Sequence, residues 1–252
     1  MEYQIFFIFL FALSLLLMKF SSLILNGALK EDFKFLFNSP LINPRTRTLS
    51  EKRSLLIRSK VLKKFLKHSI IVLVFYSFYQ WFFKTYEFSL TEKAYLFSLY
   101  IYLFTNFMAA TGRALSLLTS EVPVDMHNRP YLSKNISEFW GQRWNKWVQD
   151  WLSLISKKCA PRSVKLRIFW AFFFSGLFHE IMFSLPYAIF YQENVMGNMM
   201  IFFFLQYLFM LFDRSVLKKY LPSLRRPFMW FAILSPIPFF INKPILSFFG
   251  LL

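Results

Sequence analysis

His179 and Glu180 stand side by side inside a run otherwise dominated by Phe, Leu and Ile, from 168 to 191. Imidazole is the side chain best suited to take and return a proton near neutral pH. An ionisable group among apolar neighbours is costly, so a histidine there is a candidate base. The alternative is a histidine that hydrogen-bonds a neighbouring helix. Adjacent residues on a helix do not face each other, so Glu180 is expected to meet another helix or a basic residue rather than to serve His179. Ser175, one turn earlier, can share the face of His179. A second group lies upstream, where 135–151 reads Asn-Ile-Ser-Glu-Phe-Trp-Gly-Gln-Arg-Trp-Asn-Lys-Trp-Val-Gln-Asp-Trp. Asn145 within it carries an uncharged amide. Arg143, Lys146 and Arg129 are basic residues of the same connection, suited to topology and to headgroup or anion contact.

Metal chemistry is not expected. His68, His127 and His179 have no ligand spacing, and the single cysteine, Cys159, excludes a disulfide framework or a cysteine-based metal centre.

The elements that must carry these groups are apolar helices. A spanning helix needs roughly 20 apolar residues, and six stretches meet or approach that length: 3–25, 66–83, 94–118, 168–191, 196–212 and 228–241. The last holds Pro236 and Pro238, so a kink or a half-span is expected there. His179 would lie about 16 Å into its span at 1.5 Å per residue. Between Asn135 and Trp151 the pattern changes. Asn135 followed by Glu138 resembles a helix start, and Trp140, Trp144, Trp147 and Trp151 recur at helical spacing. One continuous helix would align the four indoles in a stripe among lipid headgroups, with Asn145 turned about 120° toward the protein.

Charge follows the same plan. Thirty basic against thirteen acidic residues give a net +17, yet 56% of the 252 residues are hydrophobic. That apolar content excludes disorder and argues against a soluble nucleic-acid-binding domain. The basic residues gather in alternate connections: Lys30, Lys34, Arg45, Arg47, Lys52 and Arg53 and others before the second stretch, the 113–167 connection, and the Arg214 to Arg226 group. Alternation of this kind is a topology signal, with both termini facing away from the cytosol. Glu2 precedes the first apolar run and its basic residues follow, which favours an uncleaved span over a signal peptide. Turns are expected at Asn38-Ser39-Pro40 and Asn43-Pro44. The expected fold class is therefore all-α, a polytopic transmembrane helical bundle of about six spans with an interfacial amphipathic helix. It forms a single integral-membrane domain, 1–252, with its motif region at 121–191.

Phe139-Trp140-Gly141-Gln142-Arg143-Trp144-Asn145, followed by Ser175-Gly176-Leu177-Phe178-His179-Glu180 inside a span, resembles the wax synthase branch of the membrane-bound O-acyltransferase superfamily. Gln142 stands where the family pattern has arginine. The resemblance implies an acyl-CoA:alcohol acyltransferase with His179 as catalytic base and Asn145 completing the site. Trp140, Arg143, Trp144, Lys146, Ser175 and Glu180 are then the candidates for contact with acyl-CoA or the acceptor. Acyl-CoA would be a co-substrate and no cofactor would be needed. The expected partners are acyl-CoA, a fatty alcohol or other lipid alcohol, and membrane lipids, with no nucleic acid. The endoplasmic reticulum membrane, where acyl-CoA and fatty alcohols meet, is the expected location. Other acceptors (a sterol, diacylglycerol or a small hydroxylated metabolite), a proton-coupled transporter and an inactive relative remain the alternatives.

Overall fold

The computed structural model describes residues 2–26, 48–49, 55–118 and 122–252. The turns expected at Asn38-Ser39-Pro40 and Asn43-Pro44, the basic residues Lys30, Lys34, Arg45, Arg47, Lys52 and Arg53, and Glu121 lie outside the described residues. The chain order opens with the long helices α1 (Glu2–Asn26), α2 (Leu55–Thr85) and α3 (Leu90–Ser116) and, after an irregular stretch, continues with the shorter α4 (Lys146–Cys159). Then come α5 (Val164–His179), α6 (Leu185–Tyr191), α7 (Asn198–Phe212), α8 (Arg225–Leu234), α9 (Ile237–Phe240) and α10 (Lys243–Phe248). A minimal antiparallel pair of two-residue strands, Thr48–Leu49 with Val122–Pro123, joins the two connections flanking α2 and α3.

Local chemistry starts several of these helices. Ser89 and Glu92 form a reciprocal capping box on α3: Glu92 Oε2 accepts the Ser89 N–H at 2.8 Å while Ser89 Oγ accepts the Glu92 N–H at 3.3 Å. Ser163 caps α5 through the Leu166 N–H. Asn135 Oδ1 accepts the Glu138 N–H at 2.9 Å, the helix start its spacing predicts.

Four segments are long and apolar enough to cross a membrane: Gln4–Asn26, Leu90–Ser116, Val164–Tyr191 and Asn198–Tyr220. The chain is an integral membrane protein with a helical bundle, and the expectation of about six spans is corrected to these four among the described residues. The 66–83 stretch lies in α2, which is long enough to cross. Lys60, Lys63, Lys64 and Lys67 along its first half lower its apolarity. The 228–241 stretch is broken into α8 and α9, with Pro236 between them and Pro238 in the first turn of α9. Proline removes a donor and clashes with the preceding turn, so each piece stays far short of a span. On α1 and α2 the side chains of Ile8, Phe9, Leu17, Leu73 and Val74 are 60–64% exposed, an outward apolar surface suited to lipid.

Helices α5 and α7 pack antiparallel. Phe169 meets Tyr207, Phe172 meets Phe203, and Gly176 faces Met200. The basic residues at the start of α5 (Lys165, Arg167) and past the end of α7 (Arg214, Lys218, Lys219) therefore share one side of the bundle, as a positive-inside arrangement requires.

One core cluster unites α2, α3, α7 and the last helices around Tyr79, Phe97, Tyr100, Met199, Ile245 and Phe249. A second gathers Ile136, Phe139, Phe172, Phe202, Phe203 and Met229. The second cluster holds the site.

Candidate active site

The expected continuous helix through 135–151 does not form. A short helical turn, Ile136–Glu138, passes into a widened turn, Phe139–Arg143, after which Trp144 is extended (φ −92°, ψ 132°). Asn145 is left-handed (φ 38°, ψ 61°) and opens α4. Asparagine is among the few residues that enter this region readily. Its Oδ1 accepts the Val148 N–H at 3.3 Å, so the side chain caps α4. The placement of Asn145 on an interior helix face turned from the tryptophans is thus corrected: it is a helix start. The indole stripe is corrected as well. Trp147 and Trp151 alone share a face of α4, and each is 7% exposed. Trp147 Nε1 donates to the Val124 carbonyl at 3.0 Å and Trp151 Nε1 to Ser21 Oγ of α1 at 3.0 Å. Both anchor α4 to protein rather than to headgroups.

The segment before this turn is strapped to it. The Asn128 N–H donates to the Arg143 carbonyl at 2.8 Å, and the Lys146 N–H to the Met126 carbonyl at 2.9 Å. The Asn145 N–H donates to His127 Nδ1 at 3.2 Å. Arg143 closes the unit: its Nε donates to Glu138 Oε1 at 2.7 Å and its guanidinium reaches the Asn128 carbonyl at 3.1 Å. Much of its donor capacity is therefore committed inside the protein. Lys146 projects from the first turn of α4 and forms no ion pair among the described residues.

His179 ends α5. Its Nδ1 lies 2.7 Å from the Ser175 carbonyl. A carbonyl only accepts, so the proton sits on Nδ1 and the Nε2 lone pair is free. Phe203 and Phe240 wall the ring at 4.8 and 5.2 Å between centroids, with Phe178 at 5.3 Å. The helix then widens over Glu180–Ser184. Pro186 cannot donate to the Met182 carbonyl, and that lost bond explains why the helix departs from regular winding here.

Glu180 is buried, at 2% exposure. Its Oε1 accepts the N–H groups of Gly197, Met199 and Met200 at 2.9, 2.9 and 3.1 Å. The carboxylate thereby caps α7, a helix whose own N-cap, Gly197 at φ 98°, has no side chain to do so. Gly176 allows the approach: a Cβ there would lie 2.8 Å from Met200 Sδ and 3.3 Å from Met200 Cα.

An aromatic layer joins the two motifs. Trp140 packs on Phe172 and Phe203, and Phe203 packs on His179. Trp144 stacks on Phe139 at 5.5 Å and meets His127 at 4.5 Å. Trp140 and Trp144 thus enter this layer, and Asn145 borders it through His127. No hydrogen bond or ring contact joins Asn145 directly to His179 among the described residues. Ser175 contributes its backbone carbonyl.

Three contributors were not singled out for the site from the sequence. Gln206 is fully buried, accepts from Trp140 Nε1 at 3.0 Å and donates to the Ala232 carbonyl at 2.7 Å. Asp213, also fully buried, holds Arg225 in a two-pronged ion pair at 2.8 and 2.7 Å. His127 is the third. A polar residue inside a strongly apolar run was the available signal for Gln206 and Asp213; His127 offered none. No group of His, Cys, Asp and Glu side chains suited to a metal occurs among the described residues.

Residues 123–205 match the Membrane bound O-acyl transferase family. The chain is 33% identical over 101 residues to Long-chain-alcohol O-fatty-acyltransferase of Simmondsia chinensis, covering 35% of this chain and 28% of that protein. It is 32% identical over 114 residues to Acyl-CoA–sterol O-acyltransferase 1 of Arabidopsis thaliana, covering 40% and 33%. A third relative, Probable long-chain-alcohol O-fatty-acyltransferase 3 of Arabidopsis thaliana, is 33% identical over 97 residues, covering 34% and 28%. The chain thus spans a third or less of the length of the curated relatives it matches. No solved structure matches. Over residues 123–205, which hold Asn145, His179 and the turns around them, the chain matches the membrane bound O-acyl transferase family, and the resemblance carried by the two motifs is borne out there.

Proposed function

We propose that this protein transfers a fatty acyl group from acyl-CoA to the hydroxyl of a long-chain alcohol, forming a wax ester in the endoplasmic reticulum membrane. The observation that carries the reading is the hydrogen bond from His179 Nδ1 to the Ser175 carbonyl at 2.7 Å, which leaves Nε2 as an unprotonated base within an apolar, aromatic-walled part of a span. An alcohol is too weak an acid to attack a thioester unaided. As its oxygen bonds to the thioester carbon, Nε2 takes the hydroxyl proton. The carbonyl oxygen becomes an oxyanion in the tetrahedral intermediate, and a positioned neutral donor lowers its energy. The Asn145 amide is suited to that role, because its Oδ1 is committed to α4 and its NH2 is not. Collapse breaks the C–S bond, and the imidazolium returns the proton to the departing CoA thiolate. No covalent enzyme intermediate is required.

Lys146 and Arg129 are the cations best suited to CoA phosphates, since Arg143 is held by Glu138 and Asn128. Trp140, Trp144 and Phe203 would line the route of the acyl chain, and Ser175 and Glu180 would act through the placement of His179 and α7.

A sterol acceptor is the second reading, favoured by the match to a sterol acyltransferase over 114 residues. The test for both is esterification by membranes expressing the chain, supplied with labelled acyl-CoA and either a long-chain alcohol or a sterol. Wax ester from the wild type, with a loss of about 10²–10⁴-fold in His179→Ala at equal protein level, is expected. Sterol ester alone would move the assignment to the second acceptor. Unchanged activity in His179→Ala would overturn the mechanism.

A further inference from the structure

The strap before α4 carries a histidine that the acyl-transfer chemistry above does not use. Three backbone or indole donors tie 124–128 to 143–147, at 2.8, 2.9 and 3.0 Å. The Arg143 guanidinium adds a bond to the Asn128 carbonyl at 3.1 Å, and His127 supplies a side-chain acceptor: its Nδ1 accepts the Asn145 N–H at 3.2 Å. Its ring is held by Trp144 at 4.5 Å and by Tyr102 of α3 at 6.1 Å. We propose that His127 is a positioning residue for the candidate site, fixing Asn145 in the left-handed conformation from which its side chain caps α4 and presents its amide NH2. This inference rests on the reading of Asn145 as part of the acyl-transfer site.

The geometry constrains the protonation state. An N–H that donates to Nδ1 requires a lone pair on that nitrogen, so the ring is neutral with its proton on Nε2. Nε2 is buried and has no hydrogen-bond partner among the described residues. An imidazolium would set one N–H against another at Asn145. The charged and titratable surroundings agree with the neutral ring. Lys64 of α2 and Arg113 of α3 both pair with Asp125, two residues before His127, and Tyr102 presents its ring from α3. Burial first, and Lys64 second, push the His127 imidazolium down to about 4 against the opposing pull of Asp125. With the folded value below the unfolded one, neutral His127 supports the fold fully above about 6.5. That support is lost as pH falls from there toward 4.

The test uses the full chain in detergent or nanodiscs, comparing wild type with His127→Phe, which keeps an aromatic ring without an acceptor, and His127→Gln, which restores one. Three outcomes are expected. Acyl transfer in His127→Phe falls at least tenfold in kcat with KM for acyl-CoA changed less than twofold, and His127→Gln recovers most of the loss. The Asn145 amide exchanges with deuterium at least tenfold faster in His127→Phe. An imidazolium beside an indole quenches it, so wild-type tryptophan fluorescence shows an acid transition near pH 4 that His127→Phe lacks. Equal Asn145 exchange in wild type and His127→Phe would overturn the proposal whether or not any ester forms. Equal kcat would do the same where transfer is measurable. Absence of transfer in wild type on every acceptor would count against the proposed function alone, and exchange would still decide the role of His127. Should His127→Phe fail to fold, ring ¹⁵N shifts of wild type decide it: a protonated Nδ1 would overturn the proposal.

Discussion

Replacing Glu180 separates a capping role from a chemical one. Its Oε1 receives three N–H groups from the first turn of α7, at 2.9, 2.9 and 3.1 Å, inside the bundle. Glu180→Gln keeps a carbonyl oxygen of nearly the same shape but removes the charge that faces the helix dipole. The expected loss is about 1–2 kcal/mol, the upper range for a partly buried charge at a helix end. Glu180→Ala removes the acceptor and leaves three donors without one. Each unsatisfied donor costs about 1–3 kcal/mol, and shared relaxation brings the total to about 3–5 kcal/mol. At about 2–4 °C per kcal/mol for a chain of this size, the midpoints should fall by about 2–8 °C and by more than about 6 °C. Thermal unfolding in detergent reads the first effect. Hydrogen exchange at Gly197, Met199 and Met200 reads it locally, and all three amides should exchange faster in both variants. Activity should fall in the same order, alanine below glutamine, because Phe203 of α7 walls the His179 ring at 4.8 Å. Unfolding of Glu180→Ala at the wild-type temperature, with those amides still protected, would refute the capping role. Complete loss of ester formation in such a variant would instead make Glu180 a participant in the chemistry.

Two further substitutions test the packing that holds the site. Gly176→Ala would bring a Cβ to 2.8 Å from Met200 Sδ and 3.3 Å from Met200 Cα. The sulfur can swing away but the backbone cannot, so a loss of about 1–3 kcal/mol is expected, seen as a lower unfolding midpoint that Met200→Ala only partly restores. Asp213→Asn leaves Arg225, whose side chain is 19% exposed, without its charged partner. Loss of a buried ion-pair partner costs about 3–5 kcal/mol, and partial exposure of Arg225 should reduce this to about 2–4 kcal/mol. The double variant Asp213→Leu with Arg225→Met should recover much of it, measured by the same melts.

How far the sequence reached depended on the range of each interaction. Length and apolarity are local, and four stretches near 3–25, 94–118, 168–191 and 196–212 became segments fit to cross a membrane. The expectation that Glu180 meets another helix was also local, since adjacency alone keeps it off the face of His179. Periodicity then misled at 140–151. Four tryptophans at helical spacing look alike whether or not the backbone runs on, and here it breaks between Trp144 and Asn145. Asparagine three residues before Val148 is itself a helix-start pattern, as Asn135 before Glu138 is, but the tryptophan spacing across it masks the break. The two asparagines together divide the segment and leave Trp147 and Trp151 on one short buried face. A polar residue in an apolar run marks Gln206 and Asp213, but the partners of these two and of His127 lie beyond any local pattern, because they come from other elements: Trp140 with Ala232, Arg225 of α8, and Asn145. The widened turns link these cases. Phe139–Arg143 and Glu180–Ser184 each lie within or beside a motif, and irregular winding frees backbone and side-chain groups from the regular ladder. At Asn145 the freed amide meets a histidine, and at Glu180 the carboxylate meets a helix end. The same departure from regularity that defeated the periodic reading is therefore what gives both motif residues their partners.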